Sequence, residues 1–179
     1  MREKIGEVIN VPSLIEFQFQ QTEGGETLEF GDFVVTEGKN VSVVGIVADI
    51  SILNPSLATF PRPKQLPSTH KIEDVFPDLV EQYPTVVKVL VLGFLTQGIV
   101  ASQNIPPRPP NIYQDVFLMD KEEIKKFHLK EQKPVIHYLY RLQHYEPRDY
   151  GQTLIKIILE QLSELLDIDI RQILNQQNA

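Results

Sequence analysis

Cysteine is absent from this chain of 179 residues. That absence excludes disulfides, thiolate zinc sites, iron–sulfur clusters and a cysteine nucleophile. Long apolar runs are absent too: the longest lies within residues 86–95 and contains Lys88, whereas a membrane span needs roughly 20 apolar residues. The N-terminal segment carries charge but no apolar stretch of the kind a signal peptide has. We therefore expect a cytoplasmic protein that is not associated with a membrane.

The motifs that bind nucleotides or catalytic metals are also missing from the sequence. The pair Gly38–Lys39 lacks the earlier glycine and the following Ser or Thr of a P-loop, and no GxGxxG occurs. His137 and His144 are seven residues apart, which on a helix is about 10 Å and too far for one metal ion. Paired carboxylates occur in charged stretches that are typical of solvated surfaces. We therefore expect no catalytic residue, no cofactor, no metal site and no enzymatic activity.

The charge is negative overall and unevenly distributed. The formal net charge is −7. Residues 1–60 contain 3 Lys or Arg against 9 Asp or Glu, whereas residues 61–150 contain 12 against 11. A chain of this charge is unlike a protein that coats nucleic acid, because such binding needs clustered cations. A local basic patch in the middle of the chain stays possible.

The first two thirds of the sequence have the pattern of β-strands. Residues 14–20 alternate, with Phe17 and Phe19 on one face, which is typical of a half-buried strand. Gly45 predicts a bend or bulge inside a longer strand, and the pair Gly24–Gly25 is suited to a hairpin turn. Six strands are predicted, at residues 5–11, 14–20, 33–36, 41–53, 85–95 and 112–120.

The remaining segments predict an insertion and a helical end. Residues 54–84 contain six prolines and are expected to form an irregular insertion, with a short helix near residues 73–82. Three helices are predicted, at residues 120–129 with Asp120 as N-cap, at 134–147 and at 151–177. The fold class is therefore α+β: a small antiparallel β-barrel of about six strands over residues 1–120, followed by C-terminal helices over 121–179.

Two groups of side chains in the C-terminal third have open interpretations. The apolar stripe of the last helix either packs on the barrel or forms a partner interface. The tyrosines at positions 138, 140, 145 and 150 lie near Arg141 and Arg148, where they could stack on nucleotides, although packing at the junction of barrel and helices is favoured. The stripe residues assigned to a partner are Ile155, Leu159, Leu162 and Leu166.

Residues 4–120 resemble the HAS-barrel, the small β-barrel at the N-terminus of HerA-type hexameric DNA translocases, which is related to the N-terminal barrel of rotary ATP synthase subunits. The segments that carry the resemblance are IGEVI (5–9), GDFVV (31–35), VVGIVADI (43–50), VLVLGFL (89–95) and PPRPPNIYQDVFLMD (106–120). The ATPase core that follows the barrel in that family has no counterpart here. The resemblance therefore implies a module that oligomerises or docks partners, such as a HerA-type ATPase or a nuclease, and not a translocase.

Arg108 lies in the proline-rich segment of that resemblance. We interpret the segment as a stiff connector in which the guanidinium pairs with a carboxylate or a carbonyl, and we assign Arg108 to partner binding. A PxxP ligand is an alternative. The sequence thus predicts a non-enzymatic assembly or adaptor module. The alternative is direct nucleic-acid binding, for which the candidate residues are Arg62, Lys64, Lys71, Arg141 and Arg148.

Overall fold

The computed structural model describes residues 2–22, 27–52, 84–96, 100–167 and 169. The strands are β1 (Lys4–Ser13), β2 (Glu16–Gln21), β3 (Phe33–Thr36), β4 (Val41–Ile52), β5 (Thr85–Thr96), β6 (Val100–Ser102), β7 (Asp115–Leu118), β8 (Leu129–Lys130) and β9 (Lys133–Pro134). The helices are α1 (Lys121–His128), α2 (Leu139–Gln143) and α3 (Arg148–Leu166).

Six strands close into an antiparallel barrel, as the sequence predicts. The strand order is β2-β1-β7-β3-β4-β5, and pairing between β2 and β5 closes the ring. The short strand β6 extends the sheet beyond the barrel by pairing with the last residues of β5. The helical region follows the barrel, so the α+β class is confirmed. Closure matters physically because it leaves the six barrel strands without free edges.

Two apolar clusters hold the fold together. Side chains from all six barrel strands fill the interior, with the rings of Phe17 and Phe19 fully buried at its centre. The second cluster lies between the outer face of β3, β4 and β5 and the helices. Neighbouring residues of a strand point to opposite faces of the sheet, so β4 contributes side chains to the barrel interior and to this second cluster. Leu154, Ile158 and Leu162 of α3 are fully buried in this second cluster.

Gly45 marks a bulge, as its position in the sequence predicts. The register between β4 and β5 shifts between Val44 and Gly45. A Cβ atom at Gly45 would overlap the side chain of Val89 and crowd the carbonyl oxygen of Leu90. A glycine is therefore required where β4 and β5 approach this closely.

The prediction of a helix at residues 134–147 is wrong for most of that range. Pro134 ends the hairpin strand β9, and only α2 is helical there. The backbone between them is held away from helical geometry because the His137 N–H donates to Oε1 of Gln103, 34 residues earlier, at 2.7 Å. His137 and His144 therefore do not share a helix, since His144 lies at the C-terminal end of α2.

Other boundaries also differ from the predictions. The last strand begins at Asp115 and not at residue 112, because Tyr113 has a positive φ of 65° that interrupts the extended chain. The helix α3 ends at Leu166, because Asp167 is left-handed, and the rest of the helix predicted to residue 177 lies outside the described residues apart from Asp167 and Asp169. The strands on either side of the Gly24–Gly25 pair, β2 and β3, do not pair with each other. The predicted insertion at 54–84 with its helix, except for Pro84, and the Gly24–Gly25 turn lie outside the described residues.

The helix α1 begins where the sequence predicts. The side chain of Asp120 accepts the backbone N–H of Glu123 at 2.8 Å, and the Glu123 side chain accepts the N–H of Asp120 at 3.1 Å. This reciprocal capping box satisfies two backbone donors that the first turn of a helix would otherwise leave free. None of the helices in the described part of the chain is long and apolar enough to cross a membrane.

Candidate functional site

The most strongly perturbed titratable groups form a buried pair. His128 and Tyr138 are both fully buried, and Nε2 of His128 lies 2.7 Å from the Tyr138 hydroxyl. Nδ1 of His128 lies 2.7 Å from the carbonyl oxygen of Ile124. Because a carbonyl oxygen only accepts, Nδ1 carries the proton and Nε2 accepts the hydrogen bond from the tyrosine.

Burial explains the titration behaviour of both groups. It lowers the pKa of His128 to about 4, because the charged imidazolium is poorly solvated there, and it raises the pKa of the Tyr138 phenol. The rings of Phe33 and Phe127 meet the imidazole edge-on, with centroids at 5.3 and 5.0 Å. Solvent does not reach the pair, so its role is to fasten the end of α1 to the segment before α2.

Arg141 belongs to the framework and not to an open surface. Its Nη1 donates to the carbonyl oxygen of Gln103 at 3.1 Å, and its Nη2 donates to that of Leu92 at 2.6 Å. Partial burial lowers the pKa of the guanidinium. The side chain therefore satisfies carbonyl groups at the junction of β5 and β6, and it is not free to contact phosphates as the nucleic-acid alternative requires.

Of the other residues assigned to nucleic acid, Arg148 is the one that the structure describes. Arg148 is exposed at the start of α3, where its Nε lies 3.3 Å from Oε1 of the equally exposed Glu146. Of the tyrosines in this region, Tyr138 is buried in the core, and Tyr150 packs edge-on against Phe30. These two rings show the packing that the sequence favours. The three basic residues of the insertion, Arg62, Lys64 and Lys71, lie outside the described residues.

The apolar stripe of α3 faces the barrel. Leu162 is fully buried and Leu159 is 8% exposed, both in the cluster between barrel and helices. Ile155 and Leu166 are partly buried against the same cluster. Of the two interpretations that the sequence leaves open, packing on the barrel is the one that these side chains adopt.

Arg108 lies at the rim of an open groove. The groove has a volume of about 790 Å³ and lies between the 37–41 loop and residues 107–114; we call it the Arg108 groove. The side chain of Arg108 is exposed, and no carboxylate or carbonyl of the described residues pairs with it, contrary to prediction. Pro106 and Pro110 on either side are buried, which anchors the segment and argues against a free PxxP ligand.

Tyr113 is the unusual residue of this groove. Its backbone is left-handed, with φ of 65°, and its side chain is 77% exposed. Such a conformation costs about 1–3 kcal/mol for a residue other than glycine. The turn is held because the Tyr113 N–H donates to the carbonyl oxygen of Val8 at 2.7 Å, and the Val8 N–H donates to that of Gln114 at 3.0 Å.

Tyr113 is not among the candidate residues predicted from the sequence, because the pattern of residues 112–120 predicts a strand. The signal that could have indicated a turn is the polar pair around it, Asn111 and Gln114. The Asn111 N–H donates to the Gln114 side chain at 2.8 Å, and the Gln114 N–H donates to the Asn111 carbonyl at 3.2 Å. Asparagine before a strand favours such local turns.

The chemistry of the Arg108 groove is that of recognition. Its lining supplies the two cations Arg108 and Lys39, one carboxylate at Glu37, an exposed ring at Tyr113 and exposed aliphatic surface at Ile112, which is 44% exposed. Exposed Arg and Tyr side chains beside apolar surface are typical of the centres of protein interfaces. Across the described ranges, His, Asp and Glu residues do not form groups of three or more that could hold a metal ion.

Comparison with known proteins gives a family. No curated protein matches the chain. A family described as a domain of unknown function, DUF8166, matches residues 18–177. The match runs from β2 to beyond α3 and so includes both the Arg108 groove and the buried pair. The chain therefore belongs to the DUF8166 family.

Proposed function

We propose that this chain is an assembly or adaptor module that docks a protein partner in the Arg108 groove. The observation that carries the proposal is Tyr113, which is held in a left-handed conformation while 77% of its side chain is exposed. The left-handed conformation of Tyr113 costs free energy, yet its ring is mostly exposed and so packs little against the rest of the chain. A partner that covers the ring would gain contact energy that offsets the cost of the left-handed conformation.

The groove has the features that favour tight docking. Tyrosine and arginine are, with tryptophan, the residues enriched among those that dominate binding energy, and Tyr113 and Arg108 both line this groove. The turn that presents Tyr113 is fastened to β1 by two backbone hydrogen bonds. A fixed turn loses less entropy on binding than a mobile loop, so more of the contact energy appears as affinity.

The class of partner follows from the HAS-barrel resemblance. That resemblance implies a module that docks on a larger DNA-processing assembly, so we propose a HerA-type ATPase, or the nuclease that acts with it, as the partner. Self-association is the alternative within the same proposal. Direct nucleic-acid binding receives less support, because Arg141 is engaged by backbone carbonyls.

The test is a tagged pull-down from the native cell extract, followed by mass spectrometry and by a binding measurement with the purified candidate. The test variant combines Arg108→Ala and Tyr113→Asn, since asparagine tolerates the left-handed conformation. The control combines Arg148→Ala and Tyr140→Asn, which remove an exposed arginine and a 69% exposed tyrosine outside the groove.

We expect the wild type and the control to recover an ATPase or nuclease that the test variant loses, with affinity reduced about tenfold or more. Equal recovery by all three proteins would show that the groove does not dock the partner. Metal-dependent nuclease or ATPase turnover by the purified chain would contradict the adaptor role. Salt-sensitive DNA binding that the test variant keeps would favour the nucleic-acid alternative.

A further inference from the structure

The short strand β6 has an open edge. β6 pairs with β5 on one side, and no strand among the described residues pairs with its other side. The unpaired N–H and C=O groups of an edge strand can hydrogen-bond to an added extended chain. Among the described strands, β6 is thus one at which the sheet can accept a further strand.

A cleft runs beside this edge. It has a volume of about 520 Å³, which lies in the range of binding pockets, and we call it the β6 cleft. One wall is formed by residues 101–104 and the other by the end of α1 and the β8–β9 hairpin. Two of the three residues of β6, Ala101 and Ser102, thus belong to one wall of the cleft.

The two walls are fixed to each other by Gln103, which is 7% exposed. Its Nε2 donates to the carbonyl oxygens of Phe127, at 3.1 Å, and of Val135, at 2.7 Å. Its Oε1 accepts the N–H of His137 at 2.7 Å. Since all three bonds cross from β6 to the opposite wall, the width of the cleft is set before any ligand binds.

The opposite wall is positively charged. Lys126 and Lys130 line the cleft and are exposed, and neither has an ion pair within the described ranges. Glu131 is the one acidic residue of the lining. Residues 121–137 contain five lysines against three glutamates in a chain whose net charge is −7. The cleft is thus a local exception to the acidic character of the chain, and it complements a negatively charged ligand.

We propose that the β6 cleft binds an extended acidic peptide, which adds to β6 as a further strand and places its carboxylates against Lys126 and Lys130. The open edge of β6 favours a peptide over a nucleic acid, because its N–H and C=O groups can pair with an extended polypeptide chain. Phe127, the one phenyl ring of the lining, is 3% exposed and offers no stacking surface for a base, which leaves the exposed imidazole of His137 as the one accessible ring. This surface is separate from the Arg108 groove, so the proposal stands independently of the docking function proposed above.

The first experiment selects ligands on the immobilised full-length chain from a random heptapeptide library. We expect the selected peptides to carry Asp or Glu at alternate positions, because side chains that face one wall recur every second residue. A selection without acidic enrichment would overturn the proposal. The selected peptide with the best affinity then serves as the probe for the variants.

Charge reversal tests the assigned lysines. Lys126→Glu combined with Lys130→Glu is expected to weaken the peptide about tenfold or more, because carboxylates would face carboxylates. The control, Lys133→Glu combined with Lys156→Glu, makes the same change in net charge on residues outside the lining, one of them on the same hairpin. An equal loss with both pairs would overturn the assignment to the cleft.

Methylation of the peptide backbone tests strand addition. A strand that adds to β6 uses the N–H groups of every second residue, so N-methylation of one alternate set should weaken binding about fivefold for each hydrogen bond lost. Methylation of the other set should leave the affinity unchanged. Equal effects of both sets would overturn strand addition. Tighter, salt-sensitive binding of a 12-mer DNA to the same lysines would overturn the peptide as ligand.

Discussion

Acidification should destabilise the fold through His128. The imidazole is buried and neutral, and its pKa is lowered to about 4 from the usual 6.5. Above pH 6.5 neither the folded nor the unfolded state protonates it. Between pH 6.5 and about 4 the unfolded state takes up a proton that the folded state does not, so the free energy of unfolding falls as the pH falls. Below about 4 both states are protonated and the effect of His128 levels off.

The size of the effect follows from the pKa difference. A displacement from 6.5 to about 4 corresponds to about 3 kcal/mol. That is a large part of the free energy of unfolding of a typical domain, which is about 5–15 kcal/mol. The burial of the imidazole beside Tyr138 thus makes the junction of barrel and helices sensitive to mild acid.

The assay is urea unfolding followed by far-UV circular dichroism at several pH values between 7.5 and 4. Carboxylates titrate in part of this range as well, so the informative quantity is the difference between wild type and His128→Gln. A glutamine can donate to the Ile124 carbonyl and accept from Tyr138 without titrating. We expect the free energy of unfolding of the wild type to fall relative to this variant by about 3 kcal/mol between pH 7 and pH 4.

The control is His137→Gln, which makes the same replacement at an exposed histidine and leaves the His128–Tyr138 hydrogen bond in place. Parallel curves for the wild type and His128→Gln from pH 7 to pH 4 would refute the reasoning. A direct measurement of the His128 ring protons by NMR gives the same answer independently. Their shift should stay constant from neutral pH until the pH approaches 4.

Three further substitutions test the framework by urea unfolding at pH 7.5. Asp120→Ala should cost about 1 kcal/mol because it removes the capping box of α1, and Asp120→Asn should retain most of the stability. Gly45→Ala should cost about 1–3 kcal/mol because its methyl group overlaps Val89; no loss would mean that the bulge relaxes. Leu162→Ala should cost about 2–5 kcal/mol because the side chain is fully buried, and a cost below 1 kcal/mol, roughly, would mean that α3 is loosely packed.

The parts of the fold that were predictable depend on local patterns. Alternating apolar residues such as Phe17 and Phe19 identify a strand because the side-chain period of a strand is two. Gly45 indicates a bulge because it interrupts a run of strand-forming residues, and Asp120 indicates a helix start because its capping partner Glu123 is three residues away. Strand order is harder to predict from local patterns, because strands that pair can be distant in the sequence. The closing pair β2–β5 joins residues about 70 positions apart.

The parts that were missed depend on contacts between distant residues. Gln103 holds the backbone of His137, 34 residues later, and so prevents the helix that the pattern of residues 134–147 predicts. Arg141 looks like a surface cation in the sequence, yet Leu92, 49 residues earlier, supplies its carbonyl partner. Neither contact leaves a trace in the local sequence, because an Arg or a Gln with a buried role has the same neighbours as one at the surface.

The contrast between Arg141 and Arg108 separates framework from candidate site. Arg141 is half-buried among carbonyl groups, so its loss would leave buried acceptors without donors. Arg108 is exposed beside Tyr113, whose left-handed backbone a glycine or asparagine would adopt at lower cost. Replacing Tyr113 should therefore leave stability unchanged or improve it. The exposure of the Tyr113 ring and its disfavoured backbone geometry are therefore the two features on which we base the proposal that this ring contacts a partner.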